Sequence, residues 1–299
     1  MATYHRPVLL EESVSGLMWK PGGTYVDLTF GGGGHSRAIL ERLQEGGCLL
    51  AFDQDADAAA NAEGLDLTFI QANFRHLKRY LKLYGLQQVD GILADLGVSS
   101  YQFDVPDRGF STRFDADLDM RMDQSSGMTA AGIINEYSAP ELHRLLGQYG
   151  EVRNARTLAQ AIVSARTNQQ INTVSDFKVV LNQFAPKGRE AKYYAQVFQA
   201  LRIEVNDEIG ALKEMLEQSV DLLVPGGRLV VLAYHSLEDR LVKNMIHKGK
   251  LQGEVEKDFY GNPQLPLQAV NKKPLTASSE EISSNSRARS AKLRIAQKR

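Results

Sequence analysis

The amino-acid sequence predicts an α/β fold in which a doubly wound parallel sheet is interrupted by an all-helical insertion. Short apolar runs alternate with helix-like patterns through residues 24–94, and strand-like sequence is then missing from about 106 to 194. A strand-like run returns at 226–234. Alternation of strands and helices is typical of a parallel sheet with helices on both faces. The chain is therefore expected to leave the sheet after its fourth strand and to return to complete it.

The first third of the chain contains strand-like runs separated by helix-like segments. Each run is a short apolar stretch bounded by turn residues, whereas the segments between them repeat apolar residues every three or four positions. The predicted strands cover 24–28, 48–52, 68–71 and 89–94, and the predicted helices cover 36–43, 56–62 and 74–83. This order is that of consecutive βαβ units.

Helix start signals mark the predicted insertion. Ser138-Ala139-Pro140-Glu141 combines a capping box with a proline in the first turn, and Thr173 to Asp176 is a second start signal. Residues 154–166 have a helical period, and a long helical stretch at 193–223 leads into the returning strand. The sequence therefore predicts several consecutive helices between the two parts of the sheet.

Two domains follow from this organisation. We predict a discontinuous α/β domain, 1–106 with 201–299, and an inserted helical domain, 107–200. In open α/β sheets, ligands bind at the carboxyl ends of the strands. An insertion that leaves from this edge would lie over the ligand crevice, so we predict that it recognises the substrate.

Composition sets limits on the class of protein. The chain has 299 residues, 43% of them hydrophobic and 24% charged, which is ordinary for a globular protein. Its one cysteine, Cys48, excludes an internal disulfide framework, and the six histidines lack metal-ligand spacing, so no metal site is predicted. No apolar run is long enough for a membrane helix, and no secretion signal is evident, so we expect a cytoplasmic protein without membrane partners.

Charge is distributed unevenly along the chain. Residues 271–299 contain eight Lys or Arg and two Asp or Glu, a net charge of +6, whereas the whole chain carries −1. A basic segment on an otherwise acidic protein predicts contact with a polyanion. The alternative is a solvated tail that has no partner.

A glycine run gives the strongest chemical signal. Gly31 to Gly34 follow an apolar run, and Asp53 ends the next one. Glycines let the backbone approach a ligand, and an acid about 20 residues further on is placed to bind ribose hydroxyls. A flexible loop would also explain the glycines alone, but their place in a βαβ order favours a nucleoside cofactor. Both nicotinamide dinucleotides and S-adenosylmethionine fit, although Ser36 occupies the third glycine position of the dinucleotide fingerprint.

Residues next to two further strands bear on the choice between the two cofactors. A buried strand ends at Asp95, which we expect beside the reacting centre, although it could instead cap the next helix. Pro225-Gly226-Gly227 before the returning strand fits a tight turn and is typical of Rossmann-like methyltransferases, which favours S-adenosylmethionine. After that strand, His235 is either structural or in contact with substrate, and Ser236 could cap the next helix.

Taken together, these motifs closely resemble the RsmH/MraW family of bacterial methyltransferases. Several uncommon strings carry the resemblance, and they span nearly the whole chain. They lie at 5–12, 29–36, 90–100, 108–111, 118–123, 198–206, 235–243 and 287–290. The resemblance implies a class I methyltransferase fold with an inserted helical domain. It also implies an enzyme that uses S-adenosylmethionine to methylate the N4 amine of a cytidine in the decoding region of 16S rRNA, as free RNA or in the small ribosomal subunit.

The resemblance also assigns roles to individual residues. The implied cofactor contacts are Gly33, Gly34, His35, Asp53, Phe74, Asp95 and Gln102. Without the resemblance, Phe74 would be interpreted as part of the hydrophobic core. We predict that Asp95 also acts in catalysis by accepting a hydrogen bond from the amine, and we list His235 as a second catalytic candidate.

Cations outside the pocket would hold the RNA backbone. The predicted contacts are Arg108, Arg113, Arg287, Arg289, Lys292 and Arg294. Two other classes of function stay open on the sequence: a nicotinamide-dependent oxidoreductase, and a non-catalytic RNA-binding or ribosome-assembly factor. The sequence also leaves open whether the chain is a monomer or a homodimer.

Overall fold

The computed structural model describes residues 7–125 and 127–299. His5 and Arg6, from the first of the recognised motifs, lie outside this range. The chain divides into two compact units. We call them the sheet unit, formed by the chain up to Gly97 and from Ile209 onward, and the helical unit, formed by Val98–Glu208. The predicted inserted domain, 107–200, lies within the helical unit, and its bounds stay a prediction.

The sheet unit contains a seven-stranded sheet with the order β3-β2-β1-β4-β5-β7-β6. The strands are β1 (Thr24–Asp27), β2 (Cys48–Asp53), β3 (Thr68–Gln71), β4 (Val89–Asp95), β5 (Leu223–Ala233), β6 (Leu267–Ala269) and β7 (Lys292–Lys298). Strands β1 to β5 pair in parallel, as the alternating pattern predicts, whereas β7 runs antiparallel to β5 and β6. The carboxyl ends of β1, β2, β4 and β5 therefore lie along one edge.

Helices connect and cover these strands. Those of the described chain are α1 (Leu10–Leu17), α2 (Gly34–Leu40), α3 (Leu77–Leu83), α4 (Ser100–Asp104), α5 (Ala130–Glu136), α6 (Ala139–Gln148), α7 (Ala155–Arg166), α8 (Val174–Asn182), α9 (Glu190–Asn206), α10 (Glu208–Leu222), α11 (Ser236–Lys248) and α12 (Ser279–Ser284). Short 3₁₀ turns lie at Ala56–Ala62, Phe74–His76, Pro106–Arg108 and Ser286–Ser290. Within the described ranges, no helix has the length and apolar character needed to span a bilayer.

The central strand β4 shows why the sheet forms here. All its residues except the last are buried, as expected for a strand with elements on both faces. Leu93 of β4 packs with Val230 and Leu232 of β5, and with Leu17 of α1, in one apolar cluster. Burial of such a side chain contributes roughly 1.5–3 kcal/mol, so this layer anchors the edge at which Asp95 emerges.

Two local predictions need correction. The turn predicted at Pro225-Gly226-Gly227 lies within the bounds of β5 and not before it: Gly226 has a φ of +87°, and the pairing with β4 passes from Leu223 directly to Arg228. The helical stretch predicted at 193–223 is confirmed, but it consists of two helices, α9 and α10, since Asp207 between them has a φ of +45°. A left-handed residue ends an α-helix.

The helical unit has its own apolar core. Leu145, Leu158, Phe177 and Val197 are all fully buried and come from α6, α7, α8 and α9. The predicted starts at Ser138 and Thr173 are confirmed, since both residues form capping boxes. Such boxes are local in sequence, which makes them readable before the fold is known.

The basic C-terminal segment is not a tail. Residues 292–298 form β7, which pairs with β5 from Lys292 opposite Ala233 to Gln297 opposite Arg228. The Arg294 side chain is buried, and its Nε donates to Oδ1 of Asp239 at 2.7 Å. The alternative of a solvated tail is therefore wrong for residues 292–298.

Candidate active site

The glycine loop follows β1 and enters α2. Gly33 has a φ of +76°, and a Cβ built on it would lie 2.9 Å from Cζ of Phe30. A Cβ on Gly34 would lie 2.2 Å from Cγ of Pro7. Both positions thus require glycine, for backbone conformation at the first and for space at both. The loop presents backbone rather than side chains at this edge of the sheet.

Asp53 ends β2 and ties the loop to the sheet. Its Oδ2 accepts the N–H of Gly31 at 2.7 Å, and its Oδ1 accepts the N–H of Asp55 at 2.9 Å. Burial raises the pKa of Asp53 to about 6, although these two backbone donors lower it. A carboxylate has further lone pairs, so ribose binding stays a prediction beside this structural role.

Asp27 is a site residue that was not predicted from the sequence. It ends β1, is fully buried, and accepts from Oγ of Ser36 at 2.7 Å and from the N–H of Thr29 at 3.1 Å. Burial raises the pKa of its carboxyl, while the neighbouring His35 lowers it. The available signal was an aspartate that ends an apolar strand, the same signal that identifies Asp95.

Asp95 ends β4 and lies at the centre of the site. Its N–H donates to Oγ1 of Thr29 at 2.7 Å, and its Oδ1 accepts the hydroxyl of Tyr234 at 2.7 Å. Its Oδ2 lies 3.7 Å from Nδ1 of His35. Burial raises the pKa of Asp95 to about 7, with the Tyr234 hydrogen bond acting in the opposite direction. Ser99, not Asp95, caps α4, so the capping alternative is excluded.

His35 is a buried neighbour of two of these carboxyls. Only 4% of its surface is exposed. Burial lowers the pKa of the imidazole, although the charge of Asp27 raises it. Because the first effect is larger, the net shift of the His35 pKa is downward.

His235 follows β5 and caps α11. Its Nδ1 accepts the N–H of Glu238 at 3.4 Å, so the predicted capping by Ser236 is wrong. The buried Glu238 closes the capping box, with Oε2 accepting the N–H of His235 at 3.3 Å, and it also accepts the N–H of Tyr234 at 2.8 Å. This geometry supports the structural interpretation of His235, and its catalytic role stays a prediction.

Phe74 lies at the start of the 3₁₀ turn after β3 and is half-buried. The preceding residue, Asn73, donates from Nδ2 to Oε1 of Gln54 at 2.7 Å. Gln54 follows Asp53 directly, so this bond joins the segments after β2 and β3. The contact of Phe74 with adenine stays a prediction.

Three predicted residues lie in the helical unit. Gln102 is buried and belongs to a capping box with Ser99, so its cofactor contact stays a prediction. Arg108 is buried, and its Nη2 donates to the carbonyls of Arg121 and Met122 at 3.0 and 3.1 Å. Arg113 is exposed, with its guanidinium 5.6 Å from the ring centre of Phe103.

These positions narrow the set of RNA contacts. Arg108 and Arg294 hold the protein's own backbone and carboxylate groups in buried positions, so we withdraw both as phosphate ligands. Lys292 is half-buried and pairs with Asp239 at 3.2 Å. Arg289 is exposed and Arg287 is half-buried, and both stay predicted contacts.

The charges at the strand ends indicate which cofactor fits. Asp27, Asp53 and Asp95 are three acidic groups whose pKa values are all raised, in each case chiefly by burial. The charge of Asp95 adds to this effect at Asp27, and that of Asp27 adds to it at Asp53. A cationic sulfonium would be attracted to this cluster, whereas an anionic pyrophosphate would be repelled. The site therefore fits S-adenosylmethionine better than a nicotinamide dinucleotide.

Comparison with known proteins identifies the family. Residues 2–299 match the model of the MraW methylase family. The chain belongs to this family. Membership of the MraW methylase family confirms the resemblance seen in the motifs, and it supports S-adenosylmethionine as the cofactor.

Relatives of this MraW methylase family member cover its full length. A protein from Cytophaga hutchinsonii is 59% identical over 298 residues, covering 99% of both chains. One from Flavobacterium johnsoniae is 55% identical over 296 residues, covering 99% of this chain and 98% of the relative. Both are named ribosomal RNA small subunit methyltransferase H. The solved structure of an rRNA methylase from Streptococcus thermophilus is 13% identical, with a TM-score of 0.40, and covers 97% of this chain and 93% of that one.

Proposed function

We propose that this protein transfers a methyl group from S-adenosylmethionine to the exocyclic N4 amine of a cytidine in the decoding region of 16S rRNA, in the cytoplasm. The observation that carries the proposal is the position of Asp95 at the end of β4, where its N–H contacts Thr29 and its carboxyl lies 3.7 Å from His35, at the two ends of the glycine loop. Full-length relatives named as small-subunit rRNA methyltransferases support the class of substrate.

The chemistry sets two demands on the protein. The N4 lone pair of cytosine is delocalised into the ring, so the amine is a poor nucleophile and must be aligned with the methyl carbon and sulfur. Such alignment can supply up to roughly 7–11 kcal/mol. The amine also needs a hydrogen-bond acceptor as positive charge develops on nitrogen. The cofactor supplies the electrophilic methyl group, and the protein must meet both demands.

Asp95 meets the second demand. Tyr234 binds its Oδ1, and Oδ2 is then the oxygen on the side of His35. This oxygen can accept an N–H of the amine and stabilise the developing charge. With a pKa of about 7, a substantial fraction of Asp95 is ionised at neutral pH, and a cationic cofactor nearby would increase that fraction.

The RNA must be held outside this pocket. Extrusion of a base from a stack costs a few kcal/mol, less for an unpaired base, and phosphate contacts can compensate for that cost. The exposed Arg113 and Arg289 are the clearest candidates, because they are free of the burial that restricts Arg108 and Arg294. Arg287 and Lys292 complete the proposed set.

Replacement of Arg113 and Arg289 by glutamine should weaken RNA binding and flatten its salt dependence. Each lost contact should reduce the slope of log K against log salt by roughly 0.7 on single-stranded RNA. The measurement is fluorescence anisotropy with a labelled decoding-region fragment at several salt concentrations. Arg79→Gln, which removes an exposed arginine of α3, serves as the control. If all variants keep the wild-type slope, these cations do not contact phosphate.

The proposed function is tested by methyl transfer from labelled S-adenosylmethionine to small ribosomal subunits and to free 16S rRNA. We expect N4-methylcytidine in the digested product. Labelled RNA with a different methylated nucleoside would overturn the target. Cofactor binding without any transfer to either substrate would favour a non-catalytic RNA-binding or assembly factor. Calorimetry should detect binding of S-adenosylhomocysteine and not of NADH, and the reverse result would favour an oxidoreductase.

A further inference from the structure

Tyr234 directly follows β5, and β5 is the strand next to β4 in the sheet. Strands β4 and β5 pair in parallel, with Asp95 opposite Leu232. The tyrosine hydroxyl therefore reaches the carboxyl that emerges from the neighbouring strand, and the Tyr234 Oη to Asp95 Oδ1 distance is 2.7 Å. Within the described residues, the Asp95 carboxyl has one hydrogen bond of ordinary length to another side chain, and Tyr234 is its donor.

The tyrosine is itself held in place. Its N–H donates to Oε2 of the buried Glu238 at 2.8 Å, which fixes the backbone where β5 gives way to α11. The side chain of Tyr234 packs against the apolar cluster that contains Leu93 and Leu232. Backbone and ring are thus both constrained, so the hydroxyl is presented from a defined direction.

This contact distinguishes the two carboxyl oxygens of Asp95. Oδ1 is occupied by the hydroxyl, whereas Oδ2 is 3.7 Å from Nδ1 of His35, beyond ordinary hydrogen-bond length. A quarter of the side-chain surface, 24%, is exposed. Oδ2 is therefore the oxygen left to accept a donor from a substrate.

We propose that Tyr234 is a positioning residue for methyl transfer, which fixes Oδ1 of Asp95 and thereby turns Oδ2 toward the amine of the substrate. This role rests on the proposed function. Tyr234 acts through Asp95 and is not assigned contact with the amine. The buried hydroxyl keeps its proton, since burial and the nearby carboxylate raise the pKa of Tyr234 well above its ordinary value.

Other groups around Asp95 differ in how they affect the ionisation of its carboxyl. Glu238 on α11 disfavours its ionised form, and the charges of Asp95 and Asp27 likewise oppose each other. His35 on α2 faces the carboxyl from 3.7 Å, measured from its Nδ1 to Oδ2 of Asp95. Of these neighbours, Tyr234 is the one whose hydrogen bond lowers the pKa of Asp95 and so favours its ionised form.

Tyr234→Phe is the direct test, because it removes the hydroxyl and keeps the ring. We expect kcat to fall about 10- to 100-fold, with the KM for RNA and the Kd for S-adenosylhomocysteine changed less than about twofold. The acidic limb of the pH–rate profile should move to higher pH by about one unit, since the lost donor favoured the ionised carboxyl. Tyr84→Phe, at an exposed tyrosine, is the matched control and should leave all of these values unchanged.

A measurement that needs no turnover separates this inference from the proposed function. Carbon-13 NMR of protein labelled at the aspartate carboxyls can follow the titration of Asp95, assigned by comparison with Asp95→Asn. We expect a higher pKa for Asp95 in Tyr234→Phe than in the wild type. An unchanged titration, or a wild-type pH–rate profile in the variant, would overturn the positioning role. Absence of methyl transfer by the wild-type protein would instead overturn the proposed function, and the carboxyl titration would still decide whether Tyr234 acts on Asp95.

Discussion

Asp95→Asn is expected to reduce the rate of methyl transfer by about 100- to 1,000-fold, because it removes the charged acceptor proposed for the amine. Asparagine keeps the size of the side chain and can still accept the Tyr234 hydroxyl. The affinity for S-adenosylhomocysteine should change much less than the rate, because the other predicted cofactor contacts, Gly33, Gly34 and Asp53 among them, are unchanged. Single-turnover transfer of labelled methyl groups to small subunits measures the first effect, and calorimetry measures the second.

The same substitution should stabilise the folded protein at high pH. Folding raises the pKa of Asp95 from 3.8 to about 7, so the folded state favours the protonated carboxyl. Stability from this group is complete below about pH 4 and is lost as the pH rises through about 7. An uncharged asparagine avoids this loss. At about 1.4 kcal/mol for each unit of pKa, the gain above pH 7 has an upper limit of about 4 kcal/mol.

Urea unfolding at pH 5 and pH 8 measures this gain, with Asp66→Asn, an exposed aspartate, as the matched control. We expect the difference in unfolding free energy between Asp95→Asn and the wild type to grow with pH, and the control to show no such trend. If the difference in unfolding free energy were the same at both pH values, folding would not raise the pKa of Asp95. A wild-type methylation rate in Asp95→Asn would exclude the proposed catalytic role.

Removal of residues 292–299 should prevent the sheet unit from folding. The deletion takes out β7, the strand between β5 and β6, so β6 loses its sheet partner. It also removes the buried side chains of Leu293 and Ile295, each worth roughly 1.5–3 kcal/mol, from a protein whose total stability is on the order of 5–15 kcal/mol. Circular dichroism and thermal melts should show loss of the cooperative transition.

Lys298→Gln with Arg299→Gln is the matched control, since it removes two charges at the same end and keeps the strand. This variant should melt as the wild type does. A cooperative transition at the wild-type temperature in the truncated protein would show that β7 is dispensable. The prediction also means that the RNA contacts of this segment must be tested by substitution, because truncation would remove the fold along with the charges.

The difference between β7 and the earlier strands shows what could be predicted from sequence. Strands β1 to β4 are separated by short helices, so their apolar runs stand out from the amphipathic segments around them. β7 has the sequence KLRIAQK, which begins with charged and apolar residues in alternation. Its positive charge favours a polyanion contact, and this signal hides the strand. The sequence does not show that β7 pairs with β5 or that the Arg294 cation is buried against Asp239 of α11.

The candidate site likewise combines residues that have a local sequence signal with residues that depend on strand pairing. Asp53 and Asp95 could be predicted because a carboxylate at the end of an apolar strand is a local signal. Tyr234 could not, since its role arises from the pairing of two strands that are distant in sequence. Asp27 carried the predictable signal, but nothing in the sequence separated a buried structural acid from a ligand-binding one.

Strands β4 and β5 are neighbours in the sheet, yet the whole helical unit lies between them in the chain. Bringing their ends together as a loose loop would carry a large entropic penalty, and that penalty grows with the length of the unstructured chain. A helical unit with its own apolar core can shorten this loop by collapsing first through contacts that are local in sequence. The junction of Asp95 and Tyr234 would then form late in folding, after the segment that separates them has become compact.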